Sequence, residues 1–186
     1  MKFLQVELFA VGFIDEALAL RNDGIDTQIL ILEGPFKESD FEIAKHNNFL
    51  LMLHSEYQLQ WLQSINSDYN DNCSSMNVWI KVDTGMNRLG LVGESEILET
   101  NRILNNNKCL VKEGIFSHYH SADSVDESHT LSQLSKFKAL VAQLDVNSYR
   151  YVHISNSAGM VIVNKDESIG CGRLGILMYG INPGPR

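Results

Sequence analysis

The stretch WIKVDTGMNRLGL, residues 79–91, places a lysine in an apolar strand and follows it with charged residues and glycines. Side chains alternate between the two faces of a strand, so Trp79, Lys81 and Asp83 share one face. An unpaired ammonium group buried on that face would be costly, so it must be paired or neutralised. Asp83 and Arg88 are the nearby candidates for this, although a lysine that snorkels from a strand end also fits the spacing.

Apolar runs of strand length alternate with helical patterns along the chain. The predicted strands are 6–12, 27–34, 49–55, 76–85, 113–121 and 149–155, with a short strand and a glycine-rich turn in 167–180. The predicted helices are 14–24, 37–47, 56–66, 95–107 and 127–144. Strands and helices that alternate in this way form βαβ units, in which parallel strands carry helices on the outside.

Two α/β architectures fit this alternation, a (β/α) barrel and an open doubly wound sheet. A dinucleotide-binding sheet would carry GxGxxG after its first strand, and the sequence has none. Polar and glycine-bearing segments follow the late strands, which favours a barrel with its site at the C-terminal strand ends. The polar stretch 66–75 is expected to be a surface loop, so 1–186 is expected to be a single domain.

Composition restricts the partners and the location. The formal net charge of -8 argues against binding to nucleic acid or to an anionic membrane surface. No apolar run reaches the roughly 18 residues of a membrane span, and the N-terminus does not have the pattern of a signal peptide. Cys73, Cys109 and Cys171 are isolated, which is typical of reduced thiols, so we expect a cytoplasmic protein.

The segment KVDTGMNRLG, residues 81–90, closely resembles a motif of the alanine racemase family. Further segments resemble the same family in order: FAVGFIDEALALRNDGI (9–25), ILILEGPF (29–36), FSHYHSAD (116–123), HISNSAG (153–159) and GRLGILMYGINP (172–183). Members are fold-type III enzymes that use pyridoxal 5'-phosphate (PLP) in a TIM-type barrel, followed by a β-rich C-terminal domain. The resemblance therefore implies an α/β barrel, PLP as cofactor, and interconversion of L- and D-alanine for peptidoglycan precursors.

The resemblance assigns three residues to the catalytic side of the site. Lys81 matches a lysine that is carbamylated in many members, and a carbamate would convert the buried cation into an anion that holds Arg88. Arg88 would then lie beside the substrate carboxylate or the phenolic oxygen of the cofactor, a task that suits a bidentate guanidinium. His118 matches a histidine that the family places near the cofactor ring and Arg173.

The resemblance also assigns the cofactor side. Asn156, Ser157, Gly175 and Ile176 would surround the PLP phosphate, and the loops after the last two strands of a TIM barrel are a frequent phosphate site. Taken singly, the glycines are explained equally well by turns and Ser157 by an N-cap. Arg173 matches the arginine that faces the pyridine nitrogen. Because an arginine does not readily release its proton, that nitrogen stays unprotonated, which limits transamination and favours racemisation.

Two parts of the family's chemistry have no counterpart in the sequence. These are a KANAYGHG-like motif with the Schiff-base lysine on the first strand, and a tyrosine base from the partner subunit's C-terminal domain. We therefore expect about half of a racemase, an incomplete barrel without its first βα unit and without the β-domain, that is inactive alone. Open sheet edges invite pairing, so a homodimer or other self-association is expected. Whether the chain is an excised segment or a natural remnant, and whether alanine, serine or another small amino acid is the substrate, stays open.

Two other functions remain as alternatives. One is a non-catalytic PLP-binding barrel, which would carry the cofactor without turnover. The other is a metal-dependent barrel hydrolase, because His118 and His120 form an H-x-H pair that would lie on one strand face. Asp123, His129 and His153 could assist such a site, but no second clear ligand pair exists, so no metal is expected.

Overall fold

The computed structural model describes residues 6–66, 75–162 and 171–184. These residues form two compact units. The first unit holds the described residues up to Ile80 together with Arg102–Lys112, and the second holds Lys81–Asn101 together with the described residues from Glu113 onward. The expectation of a single domain stays a prediction.

The first unit is built from parallel strands joined by helices. Its strands are β1 (Leu8–Val11), β2 (Gln28–Ile31), β3 (Phe49–Leu53), β4 (Met76–Lys81, up to Ile80) and the start of β5 (Leu110–Phe116). Its helices are α1 (Ile14–Asn22), α2 (Ser39–His46), α3 (Glu56–Asn66) and the end of α4 (Glu94–Asn105). Strands β1 to β4 pair in chain order and in parallel.

Burial explains the apolar sequence of these strands. Every residue of β3 is buried, as expected for a parallel strand that is covered on both faces. The turn after β2 depends on Gly34, which has a φ of +69° and lies where a Cβ would be 2.2 Å from the carbonyl oxygen of Met52. The fully buried Gln58 side chain accepts from the His54 amide at 2.8 Å and donates to the Pro35 carbonyl at 3.1 Å. It thereby joins the segments that follow β2 and β3.

The second unit carries the ends of three neighbouring strands. It contains Lys81 of β4, the rest of β5, and β6 (Tyr151–His153), with β5 and β6 parallel. Its helices are the start of α4, then α5 (Ser128–Val141) and α6 (Ser157–Ile162), with 3-10 turns at Val146–Ser148 and Ile176–Tyr179. The Val82 amide donates to the Phe116 carbonyl at 2.8 Å, and the Ser117 amide donates to the His153 carbonyl at 3.0 Å. The carboxyl ends of β4, β5 and β6 therefore lie side by side.

The predicted alternation of parallel strands and helices is confirmed, with differences at strand ends. The strand predicted at 76–85 ends at Lys81, because the Asp83 carboxylate accepts from the Gly85 amide and turns the chain. The strand predicted at 113–121 runs instead from Leu110 to Phe116. The H-x-H pair therefore lies beyond the strand, and its predicted place on one strand face is wrong.

Two predicted segments lie largely outside the described residues. The loop predicted at 66–75 falls there except at its two ends. The short strand predicted in 167–180 begins outside the described residues, and the described part of that segment, from residue 171, has a 3-10 turn and no strand. The structure therefore leaves the loop prediction and the first part of the strand prediction without a test.

Two further sequence predictions concern the thiols and the membrane. Cys109 is disulfide-bonded, so the prediction of a reduced thiol is wrong at this position, whereas Cys171 is free. In the described ranges, no helix has both the length and the apolar character needed to cross a bilayer.

Candidate active site

Three nitrogen-bearing side chains meet around the ring of Phe116, the last residue of β5. The Lys81 Nζ lies 5.4 Å from the ring centroid, and the Arg173 guanidinium carbon lies 4.8 Å from it. The imidazole of His153 stacks on the ring, with centroids 5.0 Å apart and an interplanar angle of 18°. The face of an aromatic ring attracts cations, which offsets part of the cost of holding two of them there.

Arg173 is held between two histidines. Its Nη1 lies 2.6 Å from His153 Nδ1, and its Nη2 lies 2.7 Å from His118 Nδ1 and donates to the Ser117 carbonyl at 3.1 Å. A guanidinium has only donors, so both Nδ1 atoms accept, and both imidazoles are neutral with their proton on Nε2.

The electrostatics agree with this assignment. Burial lowers the pKa of His118 to about 3, with further lowering by the charges of Arg173, Lys81 and Arg88. Burial and the charge of Arg173 also hold the pKa of His153 well below its ordinary value. Arg173 itself has a pKa lowered by burial to about 10, so it keeps its proton at neutral pH. The group is therefore one fixed cation between two neutral rings.

Lys81 is buried, with 5% of its surface exposed, as its place in an apolar strand predicted. Its Nζ donates to the Val82 carbonyl at 3.2 Å. Burial lowers its pKa from 10.5 to about 7; the charges of Arg173 and Arg88 add to this effect and that of Asp83 opposes it. Near neutral pH a large fraction of Lys81 is therefore the uncharged, nucleophilic amine.

The turn that follows Lys81 is closed by backbone hydrogen bonds and by one carboxylate. The Asp83 amide donates to the Leu91 carbonyl at 3.0 Å, and the Leu91 amide donates to the Lys81 carbonyl at 2.9 Å. The Asp83 carboxylate accepts from the Gly85 amide at 2.7 Å and from the Arg88 amide at 3.2 Å. These bonds place the backbone of Arg88, whose side chain is exposed.

The predicted contact between Lys81 and Arg88 is not seen with an unmodified lysine. Within the described ranges, Arg88 is bonded through its backbone to Asp83, and its charge lowers the pKa of Lys81, which means that the two cations repel each other. Arg88 therefore belongs to the electrostatic surroundings of the site without touching its centre.

The predicted phosphate residues form a second cluster. The Ser157 hydroxyl, in a residue that is 5% exposed, accepts from the Gly175 amide at 2.9 Å and from the Leu177 amide at 3.5 Å. Ile176 lies between these two residues, and its side chain is exposed. Amide donors therefore converge on one hydroxyl whose own proton is free to point onward, an arrangement that fits an anion.

Asn156 connects this cluster to the histidines. Its Oδ1 accepts from the Gly159 amide at 2.9 Å, and its Nδ2 donates to the Tyr119 carbonyl at 3.3 Å. Its Nδ2 also lies 3.5 Å from His118 Nε2. Because both of these nitrogens carry hydrogens, we treat this approach as a packing contact.

The structure thus brings together most of the predicted site residues. Arg173 touches His118, Ser157 touches Gly175, and Lys81 shares the Phe116 ring with Arg173. From the sequence, His153 was predicted only as a helper in a metal site, although it bonds directly to Arg173. Its position as the last residue of a strand next to β5 was the signal for a site role.

The histidines are not arranged for a metal. His118 Nδ1 is occupied by Arg173, and the ring of His120 stacks on His129 with centroids 5.3 Å apart. In the part of the chain that the structure describes, no group of three or more His, Cys, Asp or Glu side chains is placed to hold a metal ion.

The parallel βα units and the cation-rich strand ends define an α/β protein whose site lies at the carboxyl ends of its strands. Residues 1–183 match the family model described as "Alanine racemase, N-terminal domain". The chain therefore belongs to the alanine racemase family.

Individual relatives agree with this assignment. The alanine racemase of Streptococcus pyogenes serotype M5 (strain Manfredo) is 38% identical over 181 residues, which are 96% of this chain and 47% of that protein. The crystal structure of alanine racemase from E. faecalis matches with a TM-score of 0.84 and 32% identity, over 94% of this chain and 46% of that one. The alanine racemase from Oenococcus oeni matches with a TM-score of 0.83 and 31% identity, over 98% and 51%.

These matches confirm the family resemblance and the TIM-type α/β barrel of the racemase N-terminal domain as the fold class. The chain spans about half the length of the curated relatives it matches.

Proposed function

We propose that this chain forms the PLP-binding part of an alanine racemase, an isomerase that interconverts L- and D-alanine for peptidoglycan precursors. The observation that carries the proposal is the Arg173 guanidinium, fixed between His118 and His153 at 2.7 and 2.6 Å. When bound, PLP supplies the electron-withdrawing ring that makes the α-proton of an amino acid removable.

The Ser157 cluster fits the phosphate of that cofactor. Ser157 and the amides of Gly175 and Leu177 converge within hydrogen-bonding distance. Gly175 itself adds no Cβ to this cluster; one built there would lie 3.7 Å from the Ser157 hydroxyl. Asn156 and Ile176 flank the cluster. We therefore assign the PLP phosphate to these four predicted residues, with the Ser157 hydroxyl, which accepts from both amides and has its own proton to donate, as the group that would contact it.

Arg173 fits the ring nitrogen. Among the described residues, its bonds to His118, His153 and the Ser117 carbonyl engage three of the five N–H groups of a guanidinium, and two are left to donate elsewhere. Because Arg173 remains charged at neutral pH, it donates a hydrogen bond without transferring a proton. Arg173 would therefore hold the pyridine nitrogen of PLP without protonating it, which would favour racemisation over transamination.

Lys81 and Arg88 would serve the substrate end. The neutral amine of Lys81 is the form that reacts with carbon dioxide. The new N–C bond would form as one N–H bond breaks and its proton leaves to solvent, so the carbamate would carry a negative charge. The present repulsion between Lys81 and Arg88 would then become an attraction, which would draw the guanidinium inward toward a substrate carboxylate. The lowered pKa of Lys81 supports this assignment.

We further propose that the chain alone does not racemise alanine and that it associates as a homodimer or a larger assembly. The sequence contains neither the family's lysine motif nor a counterpart of its second base, and each direction of racemisation needs a base on its own face of the ring. The choice of alanine over other small amino acids and the cytoplasmic location stay predictions.

The test of the proposal is PLP binding by the 186-residue chain, followed by quenching of tryptophan fluorescence and by equilibrium dialysis. We expect saturable binding that weakens by about tenfold in Ser157→Ala, the loss of roughly one charge-assisted hydrogen bond. Ser124→Ala, which removes a hydroxyl that accepts from the Asp126 amide and takes no part in the bonds of Ser157, is the matched control. Failure of PLP to bind, or equal binding by wild type and Ser157→Ala, would contradict the proposal.

Turnover is measured separately with L-alanine and a D-amino-acid oxidase assay, with the Streptococcus pyogenes racemase as positive control. We expect binding without D-alanine formation. Robust turnover by the chain alone would overturn the proposed inactivity and leave the cofactor assignment standing.

A further inference from the structure

The chain leaves the sheet directly before His118, the residue whose imidazole contacts Arg173. The last ladder bond of β5 is donated by the Ser117 amide, and the next residue is His118. A loop that leaves a sheet in the protein interior must find other partners for its buried backbone groups. What supplies these partners also determines how the His118 ring is held.

The partners come from one side chain, that of Gln133 on α5. Its Oε1 accepts from the His120 amide at 2.9 Å, and its Nε2 donates to the His118 carbonyl at 3.0 Å. The side-chain amide of Gln133 thus bonds the residues on either side of Tyr119 and takes the place of the strand-to-strand hydrogen bonds that stop at the end of β5. Gln133 is 1% exposed, so water does not compete for these bonds.

The same amide reaches the turn that follows β4. Gln133 Nε2 lies 3.4 Å from the Thr84 hydroxyl, which bonds to the Ser117 hydroxyl at 2.8 Å. Thr84 and Ser117 are 6% and 0% exposed. The segment before His118 and the segment after it are therefore tied to one buried group.

Helix α5, which carries Gln133, is itself packed into the core. Leu134 and Phe137, on the same helix, are buried with 9% and 1% of their surfaces exposed. If the Gln133 side chain turned away, the His120 amide and the His118 carbonyl would lose these bonds in the interior, each at a cost.

We infer that Gln133 is a positioning residue, whose buried amide holds residues 118–120 so that the His118 imidazole presents its Nδ1 to Arg173. For its effect on PLP this inference rests on the proposed function; for its effect on His118 it stands on the contacts alone. Gln133 bonds the backbone carbonyl of His118 and acts through that backbone; among the described residues it has no hydrogen bond to the His118 imidazole or to Arg173.

Two variants of nearly constant shape test this assignment in the 186-residue chain. Gln133→Met keeps the unbranched shape and removes both the donor and the acceptor. Gln133→Glu keeps an acceptor for the His120 amide and loses the donor to the His118 carbonyl. Gln143→Met is the matched control, because it makes the same change at an exposed position just after the same helix. Among the described residues, the Gln143 side chain donates only to the Ala139 carbonyl, at 3.4 Å.

The direct readout is the tautomer of His118 at pH 7.5, read from the imidazole nitrogen shifts in long-range proton–nitrogen spectra. The His118 signals are identified by their loss in His118→Gln. Wild type and Gln143→Met are expected to show an unprotonated, hydrogen-bonded Nδ1 with the proton on Nε2. Both Gln133 variants are expected to lose the fixed tautomer and to show exchange-averaged nitrogens. His153, which is held by β6, keeps its signals and reports that the remainder of the site is folded.

A second readout is the dissociation constant for PLP, which is expected to rise about tenfold in Gln133→Met and less than twofold in Gln143→Met. If wild type binds no PLP, the proposed function fails, while the His118 spectra still decide the role of Gln133. Unchanged His118 signals in both variants, with only a lower melting temperature, would overturn the inference.

Should neither variant fold, wild-type hydrogen exchange remains decisive. The His120 amide is expected to exchange as slowly as amides in β5, and exchange at the rate of an exposed loop would overturn the inference.

Discussion

Replacement of Lys81 by methionine tests the electrostatic account of the site most directly. Methionine has a similar length and no charge, so it fills the same space beside Phe116 without a buried cation. The folded protein lowers the pKa of Lys81 from 10.5 to about 7, chiefly by burial. In the unfolded chain the lysine is hydrated and has its ordinary pKa.

These values determine both the sign and the size of the effect. Between pH 7 and 10.5 the unfolded state binds more protons at this position than the folded state, so the stability of wild type rises with pH over that window. Each pKa unit is worth about 1.4 kcal/mol, so the whole window corresponds to about 5 kcal/mol. Below pH 7 both states are protonated and the contribution no longer changes.

The assay is urea unfolding of wild type and Lys81→Met at several pH values, in buffers purged of carbon dioxide so that Lys81 stays a free amine. We expect Lys81→Met to be the more stable protein at pH 7. The free energy of unfolding of wild type should gain on that of the variant by roughly 2–3 kcal/mol between pH 7.5 and 9.5. Subtracting the two proteins cancels the other titrating groups.

Lys136→Met is the matched control, because it makes the same substitution at an exposed position. A difference between wild type and Lys81→Met that does not change from pH 6.5 to 9.5 would refute the buried-cation account of this site.

Three further predictions follow from single contacts. Gly159→Ala places a methyl 2.7 Å from the fully buried Tyr119 ring and should lower the free energy of unfolding, measured in urea, by about 1–3 kcal/mol. Gly172→Ala, whose nearest neighbour is the flexible Met160 side chain, should lower it less, and an equal loss in the two variants would argue against tight packing at Gly159. Asp83→Ala should speed hydrogen exchange at the Gly85 and Arg88 amides, and unchanged exchange would show that the turn holds without the carboxylate. Because the pKa of Asp83 is lowered in the folded protein, the greater stability of wild type over this variant should be present above about pH 4 and should fall as the carboxylate protonates in acid. Arg173→Met should raise the pKa of His118 above its present value of about 3, since one repelling charge is removed while burial remains, and a nitrogen-detected titration that shows no rise would remove Arg173 as a cause.

The candidate site was only partly accessible from the sequence. Lys81, Arg88, His118, Asn156, Ser157, Arg173, Gly175 and Ile176 came from a family resemblance, which identifies positions and leaves contacts open. Gln133 carries no motif, and it sits on a helix whose periodicity predicts core packing. Its role became visible only when its amide was seen to bond the His118 carbonyl and the His120 amide.

Strand ends show the same division. Apolar runs predict where a strand lies, because burial is repeated along it, and β3 was placed within two residues of its observed ends. After the end of β5, the His118 carbonyl and the His120 amide bond to the Gln133 side chain and not to a neighbouring strand. Gln133 is distant in sequence, so a local pattern does not predict this end of the strand. The prediction of a strand to residue 121 was therefore too long.

The alternation of parallel strands and helices was determined by the sequence alone, because hydrophobic periodicity is a local property that each segment carries with it. For Lys81 the sequence left burial and snorkelling open, and the structure shows burial. The tertiary structure alone decided that Arg173 lies between His118 and His153, residues that are 55 and 20 positions away along the chain. The physical reason is that the carboxyl ends of parallel strands lie next to one another, so residues far apart in the sequence come within hydrogen-bonding distance. Once they are buried there, desolvation shifts their pKa values and so determines which of them carry a charge.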